Sequence, residues 1–210
     1  MIFKGEIGGK KTKFSIYGDR CMKIIFALIS STLLFTSSVA YAGKQLPTKL
    51  LLEAGMHGGG DKIENISFVG SGANTLHAGA MISISIGYAF KTSENWELRT
   101  VCGIKTDRLN EANNKLEFTR YPFSMMLFKR TKAFSMGLGA TYHVNPKFHS
   151  QGSLGNGIIT FNYGRGLMAE IDVDFSEDSY LGVQATAINY YTGSQSVNGN
   201  SVGIVIGTRF

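Results

Sequence analysis

The sequence is poor in cysteine, with two in 210 residues, Cys21 and Cys102. Cys21 precedes the predicted cleavage site described below, so Cys102 is expected to stand alone and no internal disulfide can form. The Cys/His spacing that holds a metal ion is also missing. The glycine-rich stretches lack the helix that would complete a phosphate-binding loop, so neither a metal nor a cofactor is expected.

A long hydrophobic run is missing too. The apolar run Ile24 to Phe35 is too short for a membrane-spanning helix, which needs about 20 residues. It follows Met22-Lys23 and precedes Ala40-Tyr41-Ala42, an order typical of a secretory signal peptide. We predict that residues 22–42 are this signal, with cleavage near Ala42. Residues 1–21 are then an upstream start extension or a longer basic region of the signal.

A strong charge on the mature chain is also lacking. The whole chain has 21 basic and 15 acidic residues and a formal net charge of +6. Residues 1–42 hold six of the bases and two of the acids, which leaves 15 bases and 13 acids in residues 43–210, a net charge of +2. Because most of the cationic excess lies in the part predicted to be removed, nucleic-acid binding is not expected.

The mature chain is rich in period-two alternation of apolar with small or polar residues, the pattern of a strand with two different faces. In the last ten residues, Val202, Ile204 and Ile206 fall on one face, and Gly203 and Val205 fall on the other. Eight segments follow this pattern and are predicted as strands: Lys49–Gly58, Leu76–Phe90, Trp96–Asp107, Lys115–Lys129, Ala133–Asn145, Ile159–Phe175, Tyr180–Tyr191 and Ser201–Phe210.

Three short turns alternate with four longer loops between these segments, as in outer-membrane barrels. The turns are at 93–95, 130–132 and 176–179, and the loops include 66–74, 110–114, 146–157 and 193–200. The fourth segment is irregular, because Leu116 and Phe118 follow one phase and the apolar residues from Tyr121 onward follow the other. A bulge or kink near Arg120, beside Pro122, is predicted to reconcile the two phases.

Alternation alone does not distinguish two kinds of eight-stranded barrel, a soluble lipocalin-like barrel and a barrel whose outer face contacts lipid. The non-apolar face consists largely of Gly, Ser, Ala and Thr, which suit the narrow interior of an eight-stranded barrel. A soluble exterior would instead carry many Lys and Glu. Aromatic residues at the short-turn ends are expected to form a membrane girdle. These are Tyr88, Phe90, Trp96, Phe134, Phe175 and Phe210.

The sequence resembles one family in four features together: the signal sequence, the number of strands, the alternation of short turns with longer loops, and a final strand that ends on Phe210. This is the class of small outer-membrane barrels that includes the OmpA transmembrane domain and OmpX. The resemblance implies an all-β, eight-stranded antiparallel up-and-down transmembrane β-barrel over residues 43–210, with periplasmic termini. It also implies a monomer in the outer membrane of a Gram-negative bacterium. The expected partners are outer-membrane lipid, lipopolysaccharide and the barrel-assembly machinery that reads the terminal strand.

Charged residues recur on the predicted inward faces close to the periplasmic ends of the strands. Since an isolated charge in a narrow lumen is costly, these residues are expected to pair into a network that closes the lumen. A gated or leaky ion path is the alternative. The residues are Glu53, Glu97, Arg99, Glu170, Asp172, Asp174 and Arg209.

An enzymatic role is the other alternative, because lipid A deacylases of the outer membrane use a His, a Ser and an acid. His143, His149 and Ser150 are the residues to compare. Adjacent residues of a strand point to opposite faces, however, and the loop contains no acid. No catalytic residue and no enzyme is therefore predicted. The sequence favours a non-enzymatic membrane scaffold or surface-loop interaction protein, with a narrow pore and a lipid A-modifying enzyme as alternatives.

Overall fold

The computed structural model describes residues 47–61, 77–79, 81–111, 114–152, 156–193 and 195–210. The predicted start extension and signal peptide, and the loop at 66–74, lie outside these residues. None of the described residues forms a helix long and apolar enough to cross a membrane. The residues that the structure describes form ten strands: β1 Thr48–Gly58, β2 Met81–Ser93, β3 Trp96–Glu111, β4 Asn114–Arg130, β5 Ser135–Gly152, β6 Gly157–Thr160, β7 Tyr163–Asp174, β8 Ser179–Thr192, β9 Gln195–Asn198 and β10 Ser201–Arg209.

Eight of these strands form a closed antiparallel barrel in the order β1-β2-β3-β4-β5-β7-β8-β10, with β10 returning to pair with β1. The predicted eight-stranded antiparallel barrel is confirmed. Its short-turn end, called the turn end below, carries the connections at 94–95, 131–134 and 175–178, and the opposite end is called the loop end. The short strands β6 and β9 pair with the loop-end parts of β5 and β8, respectively.

The alternation of the sequence sets which side of each strand faces inward. Along β10, Val202, Ile204 and Ile206 are exposed on the outside, whereas Gly203 and Val205 are buried in the barrel. A slip of one residue in the pairing would exchange the two faces, so the register is strongly specified.

Small inward residues make room for large ones on the neighbouring strand. In three directly paired positions, an inward aromatic ring lies over a glycine, and a Cβ atom on that glycine would lie closer than 3 Å to the ring. An eight-stranded barrel has just enough interior for side chains, so large and small residues must alternate across it. The three pairs are Phe128 with Gly137, Tyr180 with Gly207 and Tyr190 with Gly164.

Two predicted loops are wrong in part, because strands continue through them. Residues 110–114 were expected to form a polar loop, but Glu111 pairs with Asn114 and closes a hairpin. Residues 146–157 were expected to form the longest loop, but β5 runs on to Gly152 and pairs with β6. Polar strand residues in water resemble loop residues in sequence, so composition misled the prediction there.

The irregularity predicted near Arg120 is present, because the β4–β5 pairing shifts between Thr119 and Tyr121, but it does not change the phase of β4 as expected. β4 keeps a single phase, in which Leu116, Phe118 and Arg120 all point inward with the residues that follow. The extra residue is in β5, where Asn145 has a φ of 50°, and the pairing with β4 shifts at that level. Leu116 and Phe118 are apolar because they fill the barrel interior at the loop end. They therefore face inward, whereas the apolar residues at every second position from Tyr121 to Leu127 face outward.

Three further boundaries differ from prediction. Residues 77–79 do not continue the second strand but fold over the loop end, where the Ala78 amide donates to the Asp61 carbonyl. The sixth predicted strand is interrupted at Phe161, which turns inward and is buried. The loop at 193–200 contains β9. In the first two cases a tertiary contact decides the path of the chain, whereas β9 forms a local hairpin with β8.

Candidate functional site in the barrel interior

Arg99 is the centre of a buried ion cluster at the turn end. Its guanidinium donates to Glu97 and to Asp172, each at 2.7 Å, and to Glu170 at 3.3 Å. All four side chains are at most 2% exposed. The guanidinium also lies 3.6 Å from the centroid of the Phe128 ring. The planar guanidinium thus stacks its face on the aromatic ring while the N–H groups at its edge bind the carboxylates.

Two more arginines link the cluster to Asp174. Arg209 contacts Asp174 at 3.2 Å and Glu97 at 3.4 Å, and Arg130 bonds to each of the same two carboxylates at 2.8 Å. Arg130 was predicted to be a turn residue, but it is the last residue of β4. Arg130 is two positions from the inward residue Phe128, so it faces inward as well. This spacing could have identified it from the sequence.

The remaining predicted member, Glu53, joins through Tyr180. The Tyr180 hydroxyl donates to the Glu53 carboxylate, and the Tyr180 ring lies 4.3 Å from the guanidinium carbon of Arg99 and 4.7 Å from that of Arg209. Gln184 donates to Glu170 at 2.6 Å. The structure therefore brings all seven predicted lumen charges into one connected cluster, with Arg130, Tyr180 and Gln184 added to it.

Above this cluster lies a small cavity of about 40 Å³ that is lined by both polar and apolar residues. Hydroxyl and imidazole groups line it: His57 is 3.0 Å from the Ser83 hydroxyl, and the buried Lys105 ammonium donates to Ser201 at 3.3 Å. A cavity of this size holds about one to three water molecules. Among the described residues, no group of three or more His, Cys, Asp or Glu side chains could hold a metal ion.

An aromatic core fills the interior at the loop end. The Phe118 ring packs edge-on against Tyr190 at 5.3 Å and against Phe161 at 5.7 Å between centroids. His143 and the Tyr190 hydroxyl are 2.9 Å apart, and both residues are buried. The buried core consists of Ala78, Leu116, Phe118, Phe148, Phe161, Ile188 and Tyr190.

Arg120 connects the aromatic core to the segment that folds over it. Its guanidinium carbon lies 4.4 Å from the Phe118 ring centroid, and one guanidinium nitrogen donates to the Ala78 carbonyl at 2.7 Å. Side chains thus occupy the lumen at two levels, by ion pairs below and by aromatic packing above. The arrangement can obstruct the lumen.

The outside of the barrel carries an apolar belt with aromatic residues at both edges. At the turn end, the predicted girdle residues face outward, and five of the six are 39–66% exposed while Phe90 is half-buried. A second row at the loop end was not predicted, although the sequence places one outward tyrosine on each of four strands. This row is Tyr121, Tyr142, Tyr163 and Tyr191.

The height of the apolar belt matches a membrane. Tyr163 and Val173 lie at the two edges of the belt on β7, ten positions apart, which corresponds to roughly 25 Å for a strand tilted near 40°. Tyr163 stacks on Tyr142 with 5.8 Å between centroids and lies 5.1 Å from Tyr191.

His149 and Ser150 lie in β5 rather than in a loop, and they point to opposite faces. His149 is exposed and Ser150 is buried. His143 points inward and contacts Tyr190. A serine and a histidine on opposite faces of a strand cannot exchange a proton, so the structure does not assemble these residues into a catalytic group.

No protein-family model and no curated protein matches the sequence. The fold is similar to that of Neisserial surface protein A, with a TM-score of 0.51 and 10% identity over 78% of this chain and 97% of that one. It is similar to the same degree to Ail, the attachment invasion locus protein of Yersinia pestis, with a TM-score of 0.51 and 10% identity over 80% of this chain and all of that one. The chain has the fold of the small eight-stranded outer-membrane β-barrels.

Proposed function

We propose that this protein is an integral protein of a Gram-negative outer membrane, a non-enzymatic scaffold whose loops face the environment. One observation carries the proposal: the outside of the closed barrel is a continuous belt of exposed aliphatic residues between two aromatic rows. Soluble monomers rarely expose contiguous apolar patches larger than a few hundred Å². In the hydrocarbon of a membrane, in contrast, exposing such a belt costs no free energy. A closed barrel also leaves no strand edge with unpaired backbone groups in the hydrocarbon.

The filled lumen favours a scaffold over a pore. The ion cluster around Arg99 and the aromatic core around Phe118 obstruct the interior at two levels. A buried carboxylate that is paired with a guanidinium group binds a passing ion poorly, since it would first have to give up that guanidinium partner. The cavity between the two levels is too small to form a channel by itself.

The partners follow from the same proposal. Outer-membrane lipid and lipopolysaccharide would surround the belt, and the assembly machinery would receive the chain through its terminal strand. The barrel closes within one chain, through backbone bonds in both directions between Leu50 and Phe210 at the β1–β10 seam. This closure supports a monomer. Cleavage of a signal near Ala42 remains part of the proposal.

Membrane fractionation combined with gel electrophoresis of unheated and heated samples tests the location. The protein is expected in the outer-membrane fraction and to migrate faster before heating, because a barrel stays compact in detergent. A mature chain that stays monodisperse in buffer without detergent would contradict the proposal.

Planar-bilayer recordings and mass analysis of lipid A test the alternatives. Purified protein is expected to give no stable single-channel steps, and steps of reproducible size would favour the pore. Lipid A from cells that express the protein is expected to keep all its acyl chains. Loss of a chain that depends on Ser150 would favour the enzyme, and Ser150→Ala is the variant to compare.

A further inference from the structure

The outer face of the barrel has a groove across four strands. One row of directly paired outward residues runs from Leu138 through Ala169 and Ala185 to Val202. Leu138 and Val202 stand out from the surface, 71% and 60% exposed, whereas the two alanines between them form a low floor. Together with Leu167 they line a groove of about 410 Å³ on the apolar belt, within the range of about 300–1,000 Å³ typical of ligand sites.

A cationic side chain lies on the loop-end side of this groove. Arg165 is an exposed, outward residue of β7, and it is two positions from Leu167 on the same face. Its guanidinium carbon lies 5.2 Å from the Tyr191 ring centroid and 6.0 Å from the Tyr163 ring centroid. Tyr142 is its direct partner on β5. No carboxylate within 4 Å of Arg165 is found among the described residues.

The charge and the groove form one continuous surface. Moving toward the turn end, the paired rows are Tyr142–Arg165–Asn189, then Ala140–Leu167–Ala187, then the row of the groove floor. A guanidinium beside two tyrosine rings at the edge of a hydrocarbon belt can bind a phosphate with two parallel hydrogen bonds. In the next row, Ala140 and Ala187 on either side of Leu167 leave space for the chain attached to that phosphate.

We propose that this surface is a binding site for a phosphorylated lipid of the outer leaflet. Arg165 binds the phosphate, the tyrosines flank it, and one acyl chain lies in the groove over Ala169 and Ala185. The inference rests on the proposed function, since it requires that lipid surround the belt. In hydrocarbon, burial of the chain brings no hydrophobic gain, so the groove contributes packing contacts and Arg165 contributes the preference for phosphate.

Native mass spectrometry of the full chain in detergent tests the site, with diphosphorylated lipid A and its dephosphorylated form as probes. The unaltered protein is expected to bind the phosphorylated form about tenfold more tightly, the size of one charge-assisted hydrogen-bond pair. Arg165→Gln is expected to remove this preference. Arg108→Gln is the matched control, because Arg108 is also an exposed outward arginine but pairs with Glu117, away from the groove.

Ala185→Leu tests the groove separately by raising its floor. It is expected to weaken binding of both lipid forms while the preference for phosphate is retained. Ala187→Val replaces it if that variant does not fold, and the heat-dependent gel shift reports folding of every variant. Equal binding of the two lipids by the unaltered protein, or a preference that survives Arg165→Gln, would overturn the site. Absence of the unaltered protein from the membrane fraction would instead overturn the proposed function.

Discussion

The two ends of the barrel interior are filled by different physical means. At the turn end, three arginines form largely buried ion pairs with four carboxylates, and the Tyr180 hydroxyl joins Glu53 to them. At the loop end, aromatic and aliphatic side chains pack without ion pairs among themselves. The first arrangement depends on every charge keeping its partner, and the second depends on volume.

The two ends also differ in the parts of the chain that build them. The charges come from regular strands and include residues two apart on one face, such as Glu97 with Arg99 and Glu170 with Asp172. The aromatic core also needs residues outside the strands, namely Ala78 and Phe161. The turn end is thus made by strand pairing alone, whereas the loop end is completed only when irregular segments fold over it.

The largest effect is expected from Arg99→Met. The change leaves three buried carboxylates without their common partner, and breaking a buried ion pair costs about 3–5 kcal/mol. The free energy of unfolding, measured by urea titration in lipid vesicles, should fall by that amount. The fluorescence of Trp96, the only tryptophan, reports the transition.

Arg108→Met serves as the control, because the pair of Arg108 with Glu117 is half exposed on the outer face. Its cost should be at most about 1 kcal/mol. Adding Asp172→Asn to Arg99→Met should recover part of the loss, since it removes one of the uncompensated charges. If Arg99→Met is as stable as the control, the ion cluster does not hold the turn end together.

The next effect is expected from Phe118→Ala in the aromatic core. Removing a buried ring that contacts Phe161 and Tyr190 should cost about 3 kcal/mol in the same urea titration. Phe118→Leu keeps most of the volume and should cost less than about 1.5 kcal/mol.

The same variant tests whether the two levels close the lumen independently. Planar-bilayer recordings of Phe118→Ala should still show no single-channel steps, because the ion cluster around Arg99 remains in place. Steps of reproducible size from this variant would mean that the aromatic core alone closes the lumen, and the comparison between the two ends would fail.

The smallest effect is expected from Tyr190→Phe. The change keeps the ring and removes the hydroxyl 2.9 Å from His143, so the free energy of unfolding should fall by about 1 kcal/mol. Tyr88→Phe changes an exposed tyrosine of the outer face and should have almost no effect. Equal stability of the two variants would show that the aromatic core needs shape only and not this hydrogen bond.

Much of the ion cluster could be predicted because its residues lie in regular strands. Glu97, Arg99 and Asp172 show their inward direction by counting in twos from their apolar neighbours. Arg130 was missed because it was assigned to a turn, although it keeps the phase of Phe128. The exact partners could not be predicted, since Arg99 and Asp172 are 73 residues apart and meet across the lumen.

The sequence by itself determined the strands, their faces and the closed barrel, because a period of two leaves one register in which every apolar row faces outward. Only the tertiary structure decided how the loop end is filled. Leu116 and Phe118 look like lipid-facing residues of a bulged strand until Ala78, Phe161 and Tyr190 are brought around them. Contacts between distant, irregular segments leave no periodic trace in the chain, so alternation could not reveal them.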